Sequence, residues 1–337
     1  MELSSQIISL ASIAVLPLAS FIVGVVYNYE IRKISARLQS RRGPWLLVPK
    51  PLRKTLGTTR LFQPLYDVLK LLYKESLVPN TSRTRIFRAA PYVALLCLVA
   101  AATLIPFAGY SPFASFELSL VAVLYLLLGV PLAFILGGAA SSSPWGAVGS
   151  MREAELMLAY ETPFVIGAFA VAVMADALSM QRILNVQISQ YPFLLLNPFA
   201  AAAFLLAIVG KLHLKPFDIP EAEVEIVAGP ITEYSGSLLG IIEIGKILLT
   251  SVCISLFVDL FLAGGVIPGL QYQLTTLIFL VEGFLIVAFA TLIHTLNPRF
   301  RIDQALRWYV KIPILLAIVG LAWAYTFRYV HPIILRG

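Results

Sequence analysis

The chain alternates between long apolar runs and short polar segments. Apolar stretches recur at about 5–28, 86–107, 117–138, 154–175, 198–214, 237–262, 272–295 and 308–330. Roughly 20 apolar residues in helical form cross a bilayer core of about 30 Å. The pattern predicts an all-α polytopic membrane protein with about eight transmembrane helices, built as one integral membrane domain over 1–337. The polar segments add interfacial helices. Residues 30–40, with Arg32, Lys33 and Arg37, read as a basic amphipathic segment lying along the interface. Residues 63–75 read as a helix opening at Pro64, with Asp67, Lys70 and Lys74 on one side. The small-residue stretch Gly137–Gly146 reads as a loop, and 176–197 as a polar connection.

Composition supports this class. Of 337 residues, 59% are hydrophobic and 13% charged, which excludes an ordinary soluble domain. The net charge of +7 is accounted for by loops rather than by nucleic-acid binding. With the N-terminus outside, 21 of the 25 Lys and Arg fall on the inner side, 14 of them between 29 and 88. This bias predicts both termini outside a cell membrane. It also predicts cytoplasmic segments at about 29–85, 139–152, 215–236 and 296–307.

One stretch departs from the basic character. Between Lys215 and Gly236 lie Asp218, Glu221, Glu223, Glu225 and Glu233. The spacing predicts a short helix with Asp218 as N-cap and Glu221 at the third position of a capping box. Gly229-Pro230 would end it. Asp218, Glu221 and Glu225 would then share a face, with Glu223 elsewhere. The acids serve either as caps and solvated groups or as a functional cluster.

Acids also occur within spans. Glu161, Glu243 and Glu282 would each cost about 2.5–3.5 kcal/mol at a helix centre unless protonated, hydrated or paired. Together they suggest a polar interior path. An intrahelical pair between Glu243 and Lys246 is the plainer account of one of them. Pro163 frees a carbonyl close to Glu161. Asp176 and Asp259 fall at outer ends of spans, where solvation accounts for them. Cys97 and Cys253 lie in apolar runs, no CxxC occurs, and the three histidines are isolated in sequence. No catalytic nucleophile or metal-ligand set is expected.

Several motifs occur in order: Arg41-Arg42-Gly43-Pro44, Gln63-Pro64-Leu65-Tyr66-Asp67, Gly149-Ser150-Met151-Arg152 and Tyr160-Glu161-Thr162-Pro163. Pro216-Phe217-Asp218-Ile219-Pro220-Glu221-Ala222-Glu223, Glu233-Tyr234-Ser235-Gly236 and Arg299-Phe300-Arg301-Ile302-Asp303-Gln304 complete the set. With eight spans, this set resembles the H-type membrane subunit of respiratory complex I, energy-converting membrane-bound [NiFe] hydrogenases and related sulfur reductases. The resemblance implies an anchoring and coupling subunit of a redox-driven ion pump that carries no redox centre of its own. Its partners would be peripheral hydrogenase-like and iron–sulfur subunits, together with antiporter-like and small membrane subunits. Iron–sulfur clusters, and Ni–Fe in the hydrogenase branch, would reside in those partners. Proton or ion coupling is expected from Glu161, Asp218, Glu221, Glu223, Glu225, Glu233, Glu243, Lys246 and Glu282. Docking of the peripheral arm is expected at Arg41, Arg42, Asp67, Lys70 and Lys74.

Two features depart from complex I. The loop between Gly43-Pro44 and Gln63-Pro64 is longer. Pro230-Ile231 also stands where complex I has an aromatic and a histidine. The Gly229-Pro230 form is closer to the hydrogenase branch. The alternative is a quinone-chamber subunit of a complex I-type NADH or ferredoxin:quinone oxidoreductase. A stand-alone secondary transporter would show paired repeats and broken helices, and none is evident.

Overall fold

A computed structural model of the chain describes residues 2–41, 43 and 63–334, without the side chains of 2–10, 223 and 330–334. The described residues are helical, with no β-strand among them. Among the described residues, eleven helices carry the fold. These are α1 (Glu2–Leu38), α2 (Gln63–Leu72), α3 (Thr84–Leu104), α4 (Ser119–Ala140), α5 (Pro144–Ala175), α6 (Met180–Ser189), α7 (Pro198–Lys211), α8 (Gly236–Phe261), α9 (Tyr272–Leu296), α10 (Ile302–Lys311) and α11 (Pro313–Ile334). Among the described residues, seven segments are long and apolar enough to cross a membrane, the last of them running through α10 into α11. The remaining expected span is α7, whose 14 residues reach only about 21 Å.

The sequence explains how a short helix is held there. Pro198 opens α7 because a first-turn N–H has no helical partner to lose. The Asn197 side chain caps it, accepting from the Ala200 N–H at 3.1 Å and donating to the Gly320 carbonyl of α11 at 2.8 Å. Ala200, Ala201, Ala203 and Ala207 let α5 and α11 approach closely, and Phe204 stacks on Phe164 at 4.3 Å. Other large apolar side chains point outward. Leu18, Leu96, Leu136, Leu158 and Leu285 are all exposed, as suits a lipid-facing surface. At the centre is α8, in which every side chain from Ile247 to Phe261 is buried.

Two sequence expectations change. The basic segment 30–40 is not a separate interfacial helix, because α1 continues through it to Leu38 and through Pro17. Helix α1 as a whole packs against α8 and α9, and within the segment Ser35 meets Thr295 of α9 at 3.2 Å. The expected loop Gly137–Gly146 shrinks to Ser141–Ser143. Its small residues serve packing instead, and α5 begins ten residues earlier than the hydropathy suggested, at Pro144.

That packing positions the loop between α7 and α8. A Cβ on Gly149 would lie 2.5 Å from Gly229 Cα and 2.6 Å from Pro230 Cδ. Gly229 itself has φ +56°, a left-handed conformation that favours glycine. Gly149→Ala is therefore expected to push the loop off α5 at a cost of about 1–3 kcal/mol. Protease cleavage within 212–235 should accelerate and the thermal midpoint should fall. Unchanged cleavage would show that the contact does not hold the loop.

Candidate functional site

The loop 212–235 is fastened to the helix ends around it at three places. At its start, the Lys215 N–H donates to His294 Nδ1 at 2.8 Å and the Phe300 N–H donates to the Pro216 carbonyl at 3.0 Å. Arg299 holds Asp218 at 2.6 Å, and Phe217 packs on Trp308 and Tyr309 with ring centroids 5.0 and 4.7 Å apart. In the middle, Arg152 of α5 holds Glu225 at 2.6 Å. At its end, Tyr234 stacks on Phe87 at 4.1 Å and donates to the Phe87 carbonyl at 2.9 Å.

The expected capping helix is not formed. Only Glu223–Ile226 is α-helical, a single turn with Ala222 at its N-cap, and a 3-10 turn follows at Gly229–Ile231. Asp218 and Glu221 find cations on other elements, and such charge-assisted bonds outweigh a backbone N–H. They therefore share no helical face with Glu225.

Behind this loop, charged side chains form a connected network. Lys246 of α8 donates to Glu221 at 2.5 Å and lies 3.8 Å from Glu243. The intrahelical pair thus exists, but the loop carboxylate is the nearer partner. Glu221 also meets His213 Nδ1 at 3.4 Å, and His213 Nε2 meets Glu153 of α5 at 2.9 Å. Glu153 accepts from the Tyr160 hydroxyl at 3.0 Å. Two turns along α5 from Glu153, Glu161 pairs with Lys211, both side chains almost fully buried. The Lys211 ammonium also sits over the Phe164 ring, 4.8 Å from its centre. Glu153, Tyr160, Lys211, His213, Glu221 and Lys246 all line one cavity of about 200 Å³. That volume admits water to a polar interior.

The neighbours tune one another. Burial alone would lower the His213 pKa, but the carboxylates of Glu153 and Glu221 outweigh it and raise it from 6.5 to about 10. Burial alone would raise that of Glu221, but Lys246 and His213 hold it well below the usual carboxylate range. The imidazolium's contribution to stability is therefore complete below about pH 6.5 and is lost as pH rises through about 10. The Glu221 contribution is present above its ordinary pKa of 4.5 and is lost as pH falls below that value. Thermal midpoints of the wild type should fall relative to His213→Gln between pH 6.5 and 10. Parallel curves across that window would contradict this assignment.

Of the residues expected to couple, Glu161, Glu221, Glu243 and Lys246 belong to this network. Asp218 and Glu225 fasten the loop, and Glu233 is half-buried with no ion pair among the described residues. Glu223 lies in the helical turn, but its side chain is not among those described. Glu282 joins neither the cavity nor the ion pairs. Asp176 is solvent-exposed and paired with Arg328 at 2.8 Å. Asp259, expected to be solvated, is fully buried, because the chain beyond α8 folds back over it.

Of the docking residues, Asp67 pairs with Arg32 at 3.1 Å. Lys70, Lys74 and Arg41 are exposed. Arg42 lies outside the described residues. Among the described residues, no group of three or more His, Cys, Asp or Glu is placed to hold a metal.

Sequence reasoning missed Glu153, Tyr160, Lys211 and His213. A signal was available in part: Glu153, Tyr160 and Glu161 recur at helical spacings of seven and eight. Lys211 and His213 immediately precede the acidic loop, but each is isolated among apolar residues, and only the fold shows their partners.

The chain matches the family model described as NADH dehydrogenase over residues 10–325. It is 33% identical over 310 residues to the H subunit of the NADH-quinone oxidoreductase of Syntrophotalea carbinolica, covering 87% of this chain and 88% of that one. It is 31% identical to the corresponding H subunit of Bacillus thuringiensis, covering 85% and 84%. Among solved structures it is similar to a chain of the membrane-bound sulfane sulfur reductase, an archaeal respiratory membrane complex. That similarity has a TM-score of 0.82 and 26% identity, covering 94% of this chain and 99% of that one. The spans, the order of the motifs and these matches agree: the chain belongs to the NADH dehydrogenase family, as an H-type membrane subunit of complex I-like respiratory oxidoreductases.

Proposed function

We propose that this protein anchors a peripheral electron-transfer arm to a cell membrane and couples redox events there to ion movement in the membrane arm. The observation that carries this reading is the network itself. A surface loop places Glu221 against Lys246 and His213, and the same cavity reaches Lys211, which pairs with Glu161 inside the membrane body. A movement of the loop would alter the Glu221–Lys246 contact, and with it the proton affinity of every neighbour. The loop belongs on the cytoplasmic side by the Lys and Arg bias, with both chain termini outside. Its partners are peripheral hydrogenase-like and iron–sulfur subunits on that face. Antiporter-like and small membrane subunits lie beside the spans.

Docking would use Arg41, Arg42, Asp67, Lys70 and Lys74, whose mixed charges register a partner through complementary charge. Reversing Arg41 and Arg42 to Glu should release the peripheral subunits while the membrane subunit remains inserted. Unchanged co-purification would count against docking there.

The acceptor is the finer question. The bacterial relatives belong to quinone oxidoreductases by name, and the structural relative to a sulfane sulfur reductase. Pro230-Ile231 and the longer loop after Gly43-Pro44 favour an acceptor reduced in the peripheral arm. Purified complex holding stoichiometric quinone, or activity blocked by quinone-site inhibitors, would favour the quinone reading instead.

A further inference from the structure

The 212–235 loop meets α5 near its start, at Gly149 and Arg152. Farther along, α4 and α5 leave a groove of about 480 Å³ between them. Val121, Leu124 and Leu128 line it from α4, at spacings of three and four that put them on one face. Leu158, Thr162, Val165 and Phe169 line it from α5 in the same way. Thr162 donates its hydroxyl to the Leu158 carbonyl at 2.8 Å, so it offers the groove no free donor. Glu161 stands near the inner end, paired with Lys211.

Phe169 also lines a second cleft, of about 420 Å³, at the far end of α5. The walls of this cleft carry charges: Glu117 before α4, Asp176 after α5, Arg182 on α6 and Arg328 on α11. Asp176 and Arg328 pair at 2.8 Å. Arg182 and Glu117 are exposed, and neither has an ion pair among the described residues. An apolar groove and a charged cleft that share a wall residue have the make-up of a lipid site. Leu158 and Phe169 are 11 residues apart, about 16 Å along α5. One leaflet of a bilayer core of about 30 Å is about 15 Å deep. A neighbouring transmembrane helix is the poorer occupant. It would run the full depth of the core, and close helix contact favours small residues, whereas Leu, Val and Phe line this groove.

We propose that the groove between α4 and α5 holds one zwitterionic phospholipid in the leaflet opposite the 212–235 loop, with a chain along the groove, its phosphate at Arg182 and its ammonium at Glu117. The phosphate supplies the anion that Arg182 lacks, and a guanidinium suits phosphate oxygens. The chain ends beside Glu161, so the lipid keeps water from reaching the buried Glu161–Lys211 pair from this side.

The test is photolabelling of the assembled complex in a non-ionic detergent. The probe is a phosphatidylethanolamine with a diazirine at the end of one chain, and the adducts are mapped to peptides. In the wild type, adducts should concentrate on peptides spanning 121–128 and 158–169. Unlabelled phosphatidylethanolamine should compete several-fold better than a diacylglycerol with the same chains, which lacks the phosphate. Arg182→Gln at the exposed mouth and Val165→Trp within the groove should each lower labelling of these peptides several-fold and leave other adducts unchanged. Wild-type labelling spread evenly over the lipid-facing helices would mark ordinary surrounding lipid and overturn the proposal. Labelling indifferent to Arg182→Gln would overturn the headgroup assignment. Labelling of the groove that appears only after neighbouring membrane subunits are stripped away would assign it to a partner helix, which also overturns the proposal.

Discussion

Lys211→Met will be the most destabilising single substitution in the network, and Glu161→Gln in the same chain will restore most of what it loses. The Lys211 side chain is 1% exposed and its partner Glu161 10%. Removing one member of such a pair leaves an uncompensated buried charge, which costs about 3–5 kcal/mol. The thioether of Met fills the space between Tyr160 and Phe164 but offers Glu161 nothing. Neutralising Glu161 as well removes the stranded charge, and a buried pair replaced by neutral groups of similar volume is close to neutral in stability. Heating the detergent-solubilised complex and following the fraction that remains assembled would read this. A drop in midpoint of at least ~5 °C for the single variant is expected, with most of it recovered in the double variant. Equal losses in both would show that the methylenes of Lys211, not its charge, hold α5 against α7.

The same pair shows how far the sequence could be read. Apolar runs of bilayer length announced the fold, and the long helices lie close to where hydropathy placed them. That signal is strong because lipid tolerates little besides a helix. It failed where length and depth part company. The run 198–214 suffices for a span by composition, but α7 stops at Lys211, because that side chain turns inward to Glu161 and the chain bends at Leu212 and His213. The family motifs contain Glu161 and Glu221, and Glu243 stood out as an acid within a span. The partners did not follow, because local spacing favours local explanations. Glu221 fitted a capping box three residues after Asp218, and Glu243 fitted a pair with Lys246. The structure joins Glu221 to Lys246 across 25 residues and Lys211 to Glu161 across 50. No periodicity of one helix encodes such contacts. Asp259 was misread for a related reason. A carboxylate near the end of an apolar run is usually solvated, and nothing local indicates that Gly264 folds back over it.

On the proposed coupling role, the network sets what the loop would have to do. Its acids face cations: Glu221 meets Lys246 and His213, and Glu161 meets Lys211. On that proposal a signal would come from displacing one partner. Glu221 is the member best suited to it, being on the loop while its partners Lys246 and His213 sit at the cavity. Arg299, Arg152 and Phe87 hold the loop from outside the network, so a docked partner acting on these contacts would reach Glu221 without entering the membrane.

The most direct measurement of this account is the ion gradient formed per electron pair in sealed vesicles carrying the complex. Glu221→Gln keeps the side-chain shape and removes the charge that joins Lys246 to His213. Glu243→Gln, whose carboxylate is 3.8 Å from Lys246 and half-exposed, perturbs the same path with less strain on the fold. Both variants should retain electron transfer to an artificial acceptor at nearly the wild-type rate, while the gradient per electron pair falls several-fold. Wild-type stoichiometry in both variants would contradict the account and make the network a structural fastening for the loop.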